Sequence, residues 1–345
     1  MNPYRLLTHL FPTRRLLTAP RRIVLILPCC IGDVVLGTAT LAALRRAYPD
    51  AHITWAVGRW SRAAVEQHDL LDDLLDTGTG ALPSPLIAFA RQLRAGRFDL
   101  AVSLVRSPLM SAAVYLSGIP YRAGLDSAGR GFGYNIRARI DPLDIRHEAE
   151  IYLDVPRALG IDVTGCYANV PVREASPVSG AYVVVNPAGG RNPGMTLDAK
   201  RYPPEKLAAL ANRLRDRVIV IGGKDDHALV EAVAAALDQP AATFAGTLTF
   251  PQIAALARHA RLYIGNDTGL THLAAAAGAP TVMILGPTDP RRYAPFAPNA
   301  IAVWKPAAVS PLGVASGIPA DWDWERDGIS VDDAEARIRA FLAAV

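Results

Sequence analysis

The 345-residue chain has only three cysteines, Cys29, Cys30 and Cys166. Their number and spacing allow neither a disulfide framework nor a cysteine zinc site, and so sparing a use suits a reducing compartment. Long apolar runs are also missing. The run at 23–27 ends at Pro28, far short of the roughly 18 residues that a membrane-spanning helix needs. Gly and Pro number 27 each but follow no period of three, which excludes a collagen-like chain. There is little excess of one charge. The net charge is +4, and Arg5, Arg14, Arg15, Arg21 and Arg22 stand in the first 22 residues without one acid. The rest holds 31 basic against 32 acidic residues. A DNA-binding protein usually spreads a basic face over its fold, which this chain does not, so nucleic acid is not an expected partner. The spelled signatures of dinucleotide domains, P-loop NTPases, nucleophile-elbow hydrolases, zincins and dithiol redox enzymes are absent.

What remains is a globular composition, 51% hydrophobic and 20% charged, of a length that suits two domains. Residues 1–20 form a basic extension in which Leu6, Leu7, Leu10 and Phe11 alternate with basic residues. It lacks the apolar core and cleavage site of a secretory signal. It reads either as an interfacial anchor on an anionic membrane or as a disordered or packed tail. Beyond it, apolar strands at 23–27, 53–57 and 99–104 alternate with helical patterns at 34–47, near 60–68 and at 85–95. The logic repeats with strands at 182–186, 218–221, 262–265 and 281–285. Helical faces run through Leu207, Leu210, Ala211 and Leu214, and through Val230, Val233, Ala234 and Leu237. Continuous apolar strands separated by helices imply parallel sheets covered on both faces. The expected architecture is α/β, two Rossmann-like doubly wound domains (21–173 and 180–328) facing a central cleft, joined near 171–180. A final helix is expected at 331–344. Ligands in such sheets bind at the carboxyl ends of strands.

Three strand ends carry polar residues suited to chemistry. The first strand runs into Gly32-Asp33. Asp33 at a helix start is either an N-cap or an ionised general base. A strand–turn–helix passage holds Gly265-Asn266-Asp267-Thr268-Gly269-Leu270-Thr271-His272. It reads as an anion site made of backbone N–H groups and the Thr268 hydroxyl, or as ordinary capping. The segment Asn186-Pro187-Ala188-Gly189-Gly190 leads to Lys200, just before Tyr202-Pro203-Pro204. Lys200 is either a point charge for a diphosphate or a solvated lysine. Gly222-Gly223 with Asp225 and Asp226 permits close approach of a nucleotide, or is only a turn. Asp321-Trp322-Asp323 spells a metal–diphosphate motif, but its irregular tail favours a solvated loop.

Together these pieces resemble glycosyltransferase family 9, the heptosyltransferases of lipopolysaccharide core synthesis. The resemblance spans roughly 22–300 and rests on IGDVVLGT at 31–38, KRYPPEKLAAL at 200–210, GGKDD at 222–226 and GNDTGLTHLAAAAGAPTVMILGPTDP at 265–290. It implies a GT-B architecture and inverting transfer of a sugar without a metal or other cofactor. The expected donor is a nucleoside-diphospho-sugar, with ADP-heptose as the candidate. The expected acceptor is a glycan or lipid-linked glycan. The family's catalytic aspartate falls on Asp33 and its lysine on Lys200. Expected donor contacts are Asn186, Gly189, Gly222, Gly223, Asp225, Asp267, Thr268, Gly269 and His272; expected acceptor contacts are Gly32 and Arg59. The GT-B pattern also implies that the last helix returns to the N-terminal domain. An envelope glycosyltransferase of this kind is expected in the cytoplasm, with peripheral contact at the membrane's inner face. A GT-B epimerase and a non-catalytic binding module are the rival readings. Departures from the family pattern are Gly37-Thr38 in place of a Thr-Thr pair, Tyr202 in place of Trp, and a long loop over 190–199 that includes Asn192-Pro193-Gly194.

Overall fold

The computed structural model describes residues 3–80, 82–192, 195–309, 319 and 321–345. The chain divides into two compact units, Met1–Ala168 and Asn169–Val345. The division falls just ahead of the expected linker.

The first unit contains α1 (Pro3–Leu10), β1 (Arg22–Ile26), α2 (Ile31–Ala47), β2 (His52–Val57), β3 (Asp73–Asp76) and α3 (Leu86–Ala95). It continues with β4 (Leu100–Ser103), α4 (Pro108–Leu116), β5 (Tyr121–Ser127), β6 (Ile136–Ile140) and α5 (Glu148–Ala158). The strands form one parallel sheet in the order β3-β2-β1-β4-β5-β6. β1 is central, with Ile23 opposite both Ile53 and Leu100. Helices cover both faces, which is why β1 and β4 are almost wholly apolar. α2 lies close under the sheet because Gly37 has no side chain. A Cβ there would meet Leu27 at 2.9 Å and the Trp55 ring at 3.2 Å, so the threonine of the family pattern would not fit against these neighbours.

Residues 60–68 do not form the expected helix; only a 3₁₀ turn appears, Arg62–Ala64. The chain is tied back just before it. Gly58 N–H donates to the Pro28 carbonyl at 2.9 Å and the Ser61 hydroxyl to the same oxygen at 3.2 Å. The basic extension packs on this unit through one face of α1. Arg137 donates to the carbonyls of Thr8 and Phe11, and the Phe11 ring meets Tyr115 edge-on at 4.8 Å.

The second unit contains β7 (Val183–Asn186), a short antiparallel pair β8 (Arg191–Asn192) and β9 (Met195–Thr196), α6 (Pro204–Leu214), β10 (Val218–Gly222) and α7 (His227–Ala235). There follow β11 (Ala242–Ala245), α8 (Phe250–Arg258), β12 (Leu262–Asn266), α9 (Gly269–Ala276), β13 (Thr281–Ile284), α10 (Pro290–Tyr293), β14 (Ala300–Val303) and α11 (Val331–Leu342). Its parallel sheet runs β11-β10-β7-β12-β13-β14. The β8–β9 pair occupies the long 190–199 loop, whose Pro193 and Gly194 lie outside the described residues. The last helix is placed differently from expectation. Ala334, Ile338 and Phe341 of α11 join the second unit's own core beside Leu207 and Ala211 of α6. Arg213 of α6 pairs with Asp332 at 2.5 Å and Glu335 at 3.0 Å. That apolar stripe and its ion pairs hold α11 in the second unit.

Candidate active site

Both sheets have the doubly wound order in which the winding reverses beside the first strand. Such a switch point leaves a crevice at the carboxyl ends of the strands. In the first unit it lies between β1 and β4; in the second, between β7 and β12.

Asp33 stands at the first of these. It is not the N-cap of α2, a place taken by Cys30, which makes no side-chain capping bond. Asp33 lies within the first turn, where the helix dipole favours its charge. The Tyr152 hydroxyl, from α5, donates to Asp33 Oδ1 at 2.9 Å. Tyr152 is 3% exposed. Burial, then the charges of Asp33 and Glu148, hold its phenol well above the ordinary range, with Arg106 opposing. Glu148, also buried, pairs with Arg106 from the loop after β4. Gly32 is the second residue of α2, beside Asp33. Arg59 is exposed and donates to Asp76 Oδ2 at 3.1 and 2.8 Å. Cys29 and Cys30 are bonded to each other in the loop that precedes α2. Adjacency makes this a local ring and not a framework.

The second switch point gathers Gly189, Lys200, Asp267, Thr268 and Gly269. Lys200 is only 8% exposed, so the solvated reading fails. Its Nζ pairs with Asp267 Oδ2 at 2.5 Å and lies 5.9 Å from the centre of the Tyr293 ring. The N-cap residue of α9 is Thr268, whose side chain makes no capping bond to this helix. Its first N–H groups therefore have no side-chain carboxylate or hydroxyl acceptor at the cap, and they suit an anion. His272 is buried within α9. Gly189 lies against this turn: a Cβ there would meet Asn266 Cβ at 3.3 Å and Thr268 Cβ at 3.8 Å.

Asn266 is a residue that the motif contained but no role singled out. Its side chain ties the site loops together. The amide donates to the Pro187 carbonyl at 2.8 Å and to that of Ala188 at 3.2 Å, and its oxygen accepts from Tyr202 N–H at 3.0 Å. Asn186, expected at the donor, is fully buried. Its amide donates to the Tyr263 hydroxyl at 3.0 Å and its oxygen accepts from Ala188 N–H at 3.0 Å, so it shapes the loop from beneath. Tyr202 directs its hydroxyl to the Ile329 carbonyl at 3.2 Å.

Gly222 ends the neighbouring strand β10 and Gly223 follows it, where the turn is closed by Gly223 N–H donating to Asp226 Oδ2 at 2.9 Å. Asp225 is exposed and pairs with Arg191 at 3.6 Å. The Asp321–Asp323 motif is a turn, as its irregular setting implied. Asp323 Oδ1 accepts from the N–H groups of Glu325 and Arg326, and Arg326 reaches Asp321. Tyr152 had no motif to reveal it, because its meeting with Asp33 is made only by the packing of α5 against α2.

Solved structures share this fold. The glycosyl transferase family 9 protein of Veillonella parvula matches with a TM-score of 0.76 at 22% identity, covering 94% of this chain and 98% of that one. The ADP-heptose lps heptosyltransferase II of Escherichia coli matches with a TM-score of 0.73 at 21% identity, covering 94% and 99%. The architecture is thus that of the GT-B glycosyltransferases. In sequence, lipopolysaccharide heptosyltransferase 3 of Escherichia coli is 28% identical in a 297-residue alignment that covers 79% of this chain and 86% of that protein. The model of glycosyltransferase family 9 (heptosyltransferase) matches residues 86–312. The chain belongs to that family. The matched segment includes Lys200 and the 265–272 motif; Asp33 precedes it.

Proposed function

We propose that the protein is an inverting glycosyltransferase that moves a heptose from ADP-heptose to a glycan or glycolipid acceptor in lipopolysaccharide synthesis. Family membership supports transfer over the rival readings, and the donor follows the Escherichia coli relative named for ADP-heptose. The observation that carries the reading is the uncapped N-terminus of α9 beside the buried Lys200, an arrangement suited to a diphosphate.

In this reading Asp33 takes the proton of an acceptor hydroxyl. The oxygen attacks the anomeric carbon as the bond to the diphosphate breaks, so configuration inverts and ADP leaves. Charge that develops on the diphosphate meets Lys200 and the N–H groups at the start of α9. Such preorganised donors contribute about 3–4 kcal/mol each toward the barrier, which is the work that a metal does in other transferases. Gly189 allows the nucleotide to approach the turn. Gly222, Gly223 and Asp225 are the candidates for the nucleoside, and Asp267 and His272 for the donor sugar or its phosphates. Gly32 and Arg59 are the acceptor-side candidates. Asp33→Asn tests the assignment: transfer should vanish while ADP binding stays near wild type. Wild-type turnover in this variant would overturn it, and an effect of chelators would overturn its metal-free form.

The acceptor side also calls for a membrane. α1 turns Leu6 and Leu10 outward, 53% and 73% exposed, and Leu17 follows at 81%. Arg5, Arg14 and Arg15 flank them. Each basic residue near an anionic lipid surface contributes about 1 kcal/mol. Peripheral attachment at the cytoplasmic face of the membrane would present the enzyme to a lipid-linked acceptor.

A further inference from the structure

We propose that Tyr152 is a positioning residue for transfer, its hydroxyl holding the Asp33 carboxylate in the one orientation that receives the acceptor proton. The proposal rests on the reading of Asp33 as the base. Tyr152 and Asp33 lie 119 residues apart and meet because α5 packs on α2. A buried phenol needs a partner for its hydroxyl. Here that partner is Asp33 Oδ1, at 2.9 Å. A bond to an ionised acceptor is stronger and more directional than a neutral one, so it limits rotation of the carboxylate.

The chemistry of the donor matters. The charged groups facing the Tyr152 hydroxyl are Asp33 from α2, Glu148 from its own helix and Arg106 from the loop after β4. Glu148 precedes Tyr152 by four residues and so shares its face of α5. Arg106 pairs with Glu148, so the neighbouring acid is already neutralised, and what Tyr152 offers Asp33 Oδ1 is a neutral hydroxyl. A cation in that place would favour the ionised carboxylate strongly and weaken it as a base. A protonated phenol orients the carboxylate at a smaller loss of basicity. Burial keeps Tyr152 protonated, so it acts as donor throughout the working range.

Tyr152→Phe keeps the ring and removes only the hydroxyl. Turnover at saturating donor should fall about 10- to 100-fold, while ADP affinity stays unchanged. A donor that favours the ionised carboxylate has been lost, so the acid limb of the kcat profile should move to higher pH. Tyr134→Phe is the control. It removes another buried hydroxyl bond in the same unit, Tyr134 to Ser103 Oγ at 2.8 Å. It should change thermal stability while leaving kcat and its pH profile in place. Two results would overturn the proposal: wild-type kcat with an unmoved acid limb in Tyr152→Phe, or equal kinetic losses in both tyrosine variants. If Asp33→Asn is inactive in the same assays, either result removes Tyr152 and leaves the base. If Asp33→Asn turns over normally, the base assignment falls and takes the role of Tyr152 with it.

Discussion

Replacing Lys200 with methionine would strand a buried carboxylate. Lys200 and Asp267 are 8% and 7% exposed and 2.5 Å apart. Breaking such a pair from one side costs about 3–5 kcal/mol, because the remaining charge is left without compensation. Relative to a typical stability of about 5–15 kcal/mol, that loss is large. At roughly 2–4 °C per kcal/mol for a unit of this size, the second unit's melting transition should fall by about 10 °C. Lys200→Met combined with Asp267→Asn leaves no stranded charge and should recover most of that loss. Calorimetry of wild type, both singles and the double variant gives the coupling energy, which should be about 2–4 kcal/mol. ADP titration separates this from function. Both variants that lack Lys200 should bind ADP weakly, including the double variant whose stability has returned. Additive destabilisation would refute the buried pair, and wild-type ADP affinity in Lys200→Met would refute its role toward the diphosphate.

Asp289 caps α10 and is 4% exposed. Burial pushes its carboxyl up, but the Arg291 side chain and N–H outweigh it and hold the group below the ordinary range. A depressed folded value means stability that is present above the unfolded pKa of about 3.9 and lost as pH falls through the folded one. Urea midpoints of wild type and Asp289→Asn should therefore differ at pH 7 and converge below about pH 4; parallel curves would contradict this. For the membrane reading, removal of residues 1–20 should abolish co-sedimentation with anionic vesicles at low salt, and unchanged binding would refute it.

Local pattern was enough to show the α/β class. The apolar runs that became β1, β4, β7, β12 and β13 are legible because a parallel strand covered on both faces needs apolar residues at every position. Asp33, Lys200 and the Asp267-Thr268-Gly269 turn were legible as candidates because strand ends followed by small residues and helix starts are local in the chain. The edge strands β3 and β11 were not, since their partly exposed residues carry no such run. Residues 60–68 have helical composition, yet the bonds of Gly58 and Ser61 to Pro28 allow one turn only. The amphipathic stripe of α11 showed that it must bury a face, but not against which unit. Packing on α6 decided that. Tertiary structure likewise spent Asn186 on the Tyr263 hydroxyl, made Asn266 the tie between three loops, and took Lys200 out of solvent to meet Asp267. Above all it brought Tyr152 to Asp33. Periodicity records which face of an element is buried, whereas a bond between side chains 119 residues apart exists only once two helices have packed.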